Sequence, residues 1–151
     1  MNVFTKEARG KVYAILQDTT RDYADRLAAV YRTYAIDAGE DGVWLQILDS
    51  LEYLDVDHKN IFMKYSSECR PEGKDEYLER FLAYLTYRHC TDAIDAEDFF
   101  TRLSFCLFCE RLFASLICTE EAETLREVAG IATMISEEIE YSDDNTFALM
   151  G

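Results

Sequence analysis

The sequence predicts an all-α protein: a single-domain bundle of five to six helices, with a long first helix and a buried fifth helix. Three observations carry this. Apolar residues recur at helical spacing, alternating strand patterns are absent, and the 151-residue chain holds one proline and six glycines, several at predicted breaks.

The first helix is expected to begin near Thr5, a plausible N-cap, and to run toward Gly39. Its apolar stripe is Val12, Leu16, Tyr23, Leu27, Val30 and Tyr34, with Asp18, Asp22, Asp25 and Arg32 opposite. The stripe stays in phase across Thr19 and Thr20, which favours one helix of about 45 Å over two shorter ones. A second helix covers Gly42 to Leu54, with Val43, Trp44, Ile47, Leu48, Leu51 and Leu54 as its buried set. A third spans His58 to Cys69 and is closed by Arg70-Pro71-Glu72-Gly73. The fourth runs from Asp75 to Cys90 with Tyr77, Leu78, Phe81, Leu82, Tyr84 and Leu85 inward.

Asp95 caps the fifth helix, which ends near Cys118; Asp95 and Asp98 in its first turn favour the helix dipole. Thr119 is the expected cap of a sixth helix reaching about Glu140. The tail from Ser142 to Gly151 is expected to fray or dock weakly. No internal repeat and no long linker interrupts this pattern, so residues 1–151 read as one helical domain, long enough to bury a sizeable core.

Composition narrows the function classes. Apolar residues make up 49% of the chain and aromatics 13%, too much for a disordered protein despite the charge. The stretch MNVFTKEARGKVY has no apolar run of the kind a secretory leader needs. The longest apolar stretch, Phe99 to Cys118, is interrupted by Arg102, Glu110 and Arg111, which suits a core helix better than a membrane span. Five cysteines, an odd number in mostly apolar surroundings, suit free thiols in a reducing cytoplasm better than a disulfide framework.

Thirty acids stand against fifteen bases, a formal charge of −15. Asp37 to Asp57 contains seven acids and no base; Glu120 to Asp144 contains nine acids and one base, Arg126. The remainder is neutral. Such a balance argues against direct binding of nucleic acid or anionic lipid, both of which need basic patches.

Signs of catalysis or metal binding are weak. Cys106-Leu-Phe-Cys109 is a C-x-x-C pair that His89 and Cys90 could extend to a four-ligand set. It lies in mid-helix among Phe105, Phe108 and Phe113, where cysteines are ordinary small hydrophobes. The run from Asp55 to Asn60 glances at a calcium loop but lacks the glycine at position six and has Ser66 where the twelfth-position glutamate belongs. The chain has only two histidines, and neither follows a glutamate by three residues, against a di-iron site. No G-x-S-x-G and no glycine-rich phosphate loop occurs. A Cys–His pair such as Cys90 with His58 exists only on paper. The sequence therefore predicts no enzyme, no cofactor and no metal.

The expectation that remains is a non-enzymatic, acidic protein-binding module. Its candidate surface is Asp49, Glu52, Asp55 and Asp57 together with Glu137, Glu138, Glu140, Asp143 and Asp144. Carboxylates spaced along helices can imitate the phosphates of a duplex, so the expected partner is a basic protein, one with a nucleic-acid-binding cleft that the module would inhibit. The plainer account is a solvated face that keeps an apolar bundle dispersed. Two alternatives stand beside it: a thiol- or metal-dependent protein using Cys106, Cys109, His89 and Cys90, and a self-associating protein using tyrosine-rich faces around Tyr13, Tyr31, Tyr84 and Tyr87.

Overall fold

Apolar residues at helical spacing produce helices throughout. The computed structural model describes residues 3–151, with side chains from residue 6 onward. Among these residues every regular element is helical: α1 Val3–Leu16, α2 Tyr23–Thr33, α3 Asp41–Ser50, α4 Val56–Phe62, α5 Asp75–Cys90, α6 Ala96–Thr119, α7 Leu125–Ile135, a π-helical turn Ser136–Glu140, and α8 Asp143–Met150. The chain forms two compact units, one of residues 1–38 and 75–107, the other of 39–74 and 108–151. Residues 96–107 of α6 belong to the first and 108–119 to the second.

Eight α-helices replace the expected five or six because one predicted helix is split and the tail is ordered. The long first helix does not form. Asp18 turns the chain by accepting the Thr20 N–H at 3.2 Å. The decisive group is Arg26, which is buried. Its guanidinium caps the end of α1 on the Leu16 carbonyl, holds the Arg21 carbonyl at 3.0 Å, and pairs with Glu79 of α5, with one contact at 3.3 Å. A helix continuing past Leu16 would need that carbonyl for itself. The Tyr34 hydroxyl donates to the Ala8 carbonyl at 2.7 Å, folding α2 back along α1. The stripe Val12, Leu16, Tyr23, Leu27 and Val30 is buried as expected. Thr5 lies inside α1, not at its cap, and its side chain is outside the described residues.

Several boundaries also move. Helix α4 is capped by Asp55, whose carboxylate accepts the Asp57 N–H at 2.8 Å, and ends at Phe62 well before Cys69. Helix α5 spans its expected range, although Tyr84 is exposed. Asp95 caps α6 by accepting the Asp98 N–H at 2.8 Å. Thr119 does not start the next helix; it ends α6, and Glu121, at φ 53°, carries the left-handed turn that follows. Thr124 is the true cap of α7. Its hydroxyl accepts the Glu127 N–H and the Glu127 carboxylate accepts the Thr124 N–H, each at 3.1 Å. The Thr124 N–H, and then its hydroxyl, which donates to the same carboxylate at 3.0 Å, hold the Glu127 carboxyl below its ordinary range.

Helix α6 is the centre of burial. Phe105 to Ile117 are buried without interruption. In the first unit, His89 meets Phe105 edge-on at 5.1 Å and Tyr34 meets Phe99 at 5.8 Å. In the second, Trp44 stacks on Phe108 at 4.0 Å, and Tyr65 meets the same ring edge-on at 5.4 Å. Gly39 permits the Trp44 placement. It has φ +76°, and a Cβ there would lie 3.1 Å from the indole nitrogen. Leu48 and Leu51 of the predicted α3 set are buried, but Val43, in the first turn of α3, and Leu54, beyond its end at Ser50, face solvent.

Phe105→Ala and Leu112→Ala should each destabilise the fold by about 2–5 kcal/mol in denaturant unfolding, as cavity-forming changes do. A loss under about half a kcal/mol would place α6 outside the core. Thr124→Ala should cost about 1 kcal/mol, while the same change at Thr119 should cost less. The reverse ranking would return the cap to Thr119.

Candidate functional site

The negative charge is uneven between the units. Residues 39–74 and 108–151 contain eighteen Asp and Glu against six Lys and Arg, a formal −12 of the chain's −15. Both acidic blocks of the sequence contribute to this unit, and one network joins them.

The network starts at Glu138, whose side chain has no exposure to solvent. Its carboxylate accepts the Leu54 N–H at 2.7 Å and the Asp55 N–H at 3.4 Å, and approaches His58 Nδ1 at 3.3 Å. Two backbone donors are thus satisfied at the point where the chain leaves α3 and has not yet entered α4. Asn145 of α8 completes the tie. It accepts the Glu52 N–H at 3.0 Å and donates to the Glu52 and Glu138 carbonyls, both at 2.7 Å. The tail expected to fray is therefore held by a buried amide that uses its carbonyl and both N–H groups, and by the burial of Leu149.

The π-helical turn makes this geometry possible. The Tyr141 N–H donates to the Ser136 carbonyl at 2.9 Å, a five-residue closure, and the Ser136 hydroxyl donates to the Glu140 carboxylate at 2.8 Å. The wider turn buries three consecutive residues, Glu138, Ile139 and Glu140. Tyr53 packs beneath, its hydroxyl donating to the Leu48 carbonyl at 2.6 Å. Burial, and then the nearby Glu138 charge, push its phenol above the ordinary value and keep it protonated.

What lies above this network is a groove of about 300 Å³ lined by Glu52, Tyr53, Leu54, Glu137, Tyr141 and Ser142, with Glu138 at its floor. Leu54 is 86% exposed and Tyr141 67%. Two carboxylates drawn from separate acidic blocks thus border a pair of exposed apolar side chains. Such a mixture of aromatic or aliphatic side chains with charge is of the kind found on protein-recognition surfaces.

The nine predicted site residues divide. Glu52 and Glu137 line the groove. Asp49, Asp55, Asp57, Asp143 and Asp144 are exposed elsewhere on this unit, Asp49 paired with Lys59 at 3.1 Å and Asp55 engaged as the α4 cap. Glu138 and Glu140 are buried and hydrogen-bonded internally, so they present no carboxylate to a partner. The sequence reading marked neither Leu54 and Tyr141 as exposed nor Asn145 as the tie between α8 and the Glu52 and Glu138 backbone. An asparagine three residues after Ser142, which caps α8 by accepting its N–H at 3.2 Å, was the available signal.

The alternative thiol site finds little chemistry. Cys90, Cys106 and Cys109 are buried, and burial pushes the Cys109 thiol well above its ordinary value, away from the thiolate needed for attack or ligation. Among the described residues no group of three or more His, Cys, Asp or Glu side chains could hold a metal ion. Among those residues, too, no helix is long and apolar enough to cross a membrane. Comparison with protein-family models, curated proteins and solved structures finds nothing that matches the chain.

Asn145→Ala should destabilise the protein by about 3 kcal/mol, because it removes three hydrogen bonds and leaves the buried Glu138 carbonyl and the part-buried Glu52 backbone short of partners. Hydrogen exchange at the Glu52 amide should accelerate with it. Unchanged exchange there would mean that Asn145 does not hold the groove.

Proposed function

We propose that this chain is a non-enzymatic acidic binding module that docks on a basic protein through the groove bordered by Glu52, Leu54, Glu137 and Tyr141. We further propose that the surface it covers is a nucleic-acid-binding cleft, which it inhibits by presenting carboxylates in place of phosphates. The observation that carries the reading is the convergence of both acidic blocks on one groove with exposed apolar anchors. Charge alone would only disperse the protein; charge beside Leu54 and Tyr141 adds desolvated contact area to electrostatic steering. The second unit's −12 supplies a long-range field toward a basic partner.

The test is affinity capture from the native host, followed by direct titration of the captured protein. Glu52→Lys with Glu137→Lys should weaken binding on the order of tenfold, mainly through slower association. Glu7→Lys with Asp92→Lys makes the same charge change on exposed positions of the first unit and should leave affinity nearly unchanged. Affinity should fall as salt shortens the Debye length from about 10 Å at 0.1 M to about 3 Å at 1 M. A duplex bound by the partner should compete. If both double variants behave alike and salt has no effect, the acids serve solvation only. Binding that depends on the groove but ignores the duplex would keep the module and remove the mimicry.

A second reading, self-association, draws on the exposure of Tyr84 and Tyr87 of α5 and of Ile94 just beyond it. Mass in solution separates the two. A concentration-dependent dimer abolished by Tyr87→Ser would favour self-association.

A further inference from the structure

Cys69 and Cys118 differ from the other three cysteines: they are partly exposed, while Cys90, Cys106 and Cys109 are buried. They are also paired. Their thiols are hydrogen-bonded to each other although one belongs to the loop after α4 and the other to the last turn of α6. This approach is held by hydrogen bonds independent of the sulfurs. The Ser66 N–H donates to the Ser115 hydroxyl of α6 at 2.9 Å. Arg70 grips Glu110 of α6 with two hydrogen bonds, 3.1 and 2.7 Å. These anchors flank Cys69 in the chain, and the Cys69 N–H closes the intervening turn on the Ser66 carbonyl at 3.1 Å. Cys118 also borders an open groove of about 520 Å³ shared with Arg70 and Lys74, which admits small molecules to that sulfur. Sulfurs already in hydrogen-bond contact, on segments pinned side by side, need little backbone movement to reach the bonding distance of about 2.05 Å.

We propose that Cys69 and Cys118 form a reversible dithiol–disulfide couple, oxidised by a low-molecular-weight disulfide. The groove opens on Cys118, so that thiol gives up its proton and attacks first. Its thiolate bonds to one sulfur of the small disulfide, whose S–S bond breaks and releases one thiolate. Cys69 then gives up its proton and attacks the Cys118 sulfur, releasing the second small thiolate. The protein loses two electrons and two protons, and the small disulfide becomes two thiols. The new bond staples the loop after α4 to the end of α6.

Oxidised glutathione is the probe. The full-length protein is equilibrated with it, free thiols are alkylated, and unreduced peptides are mapped by mass spectrometry. The expected product is lighter by two hydrogens, carries a Cys69–Cys118 link and is restored by dithiothreitol. The oxidised form should melt roughly 5–15 °C higher. Cys69→Ser and Cys118→Ser should each abolish the link and leave one glutathione on the remaining cysteine. Both sites are partly exposed, so both variants should keep the wild-type helical spectrum. The proposal is overturned by stable glutathione adducts on the wild type without an internal link, by a link involving Cys90, Cys106 or Cys109, by absence of reaction, or by an oxidised form that melts lower than the reduced one.

Discussion

A helix that is apolar on every side must be covered on every side, and α6 makes that demand here. From Phe105 to Ile117 it has no solvent-facing residue. Its three buried polar groups in the second unit, Glu110, Arg111 and Ser115, cannot go unpartnered, because an orphaned polar or charged group in a dry interior costs several kcal/mol. Each finds a partner in the segment that precedes α5. Arg70 takes Glu110, Ser66 takes Ser115, and the Tyr65 hydroxyl meets Arg111 at 3.4 Å. The Arg111 guanidinium also lies over Trp44 and Phe108, at 5.6 and 5.5 Å from the ring centroids. The path of residues 63–70, which have no regular structure, follows from these obligations.

The same logic organises the groove. Glu138 would be unstable as a buried carboxylate without donors, and the loop from Glu52 to Asp55 would be unstable without acceptors. Each supplies the other, and Asn145 locks the pair. The consequence is that acids close in sequence have opposite environments. Glu138 and Glu140 are buried in the fold, whereas Glu137 lines the groove together with Glu52.

Much of the fold was legible because helices are local objects. The periodicity of apolar residues and the caps are written within a few positions of each element. Hence the all-helical class, the range Asp75–Cys90 of α5, the Asp95 cap and the burial of α6 followed directly from the sequence. So did the stripe from Val12 to Val30, which is buried even though the helix expected to carry it is two.

What the sequence by itself determined is therefore which residues are helical and which faces are apolar, since both depend on neighbours three or four positions away. Only the tertiary structure decided where α1 stops, because the stop is an arginine ten residues on whose charge is balanced by Glu79 of α5. Only the tertiary structure decided that Leu54 and Tyr141 are exposed and that Asn145 orders the tail. The Leu54 and Asp55 N–H groups reach one buried carboxylate, and the Glu52 N–H reaches the Asn145 amide, across more than eighty residues of chain. A hydrogen bond of that kind has no period and no local spacing. It exists only once the packing of the helices has brought its two ends together.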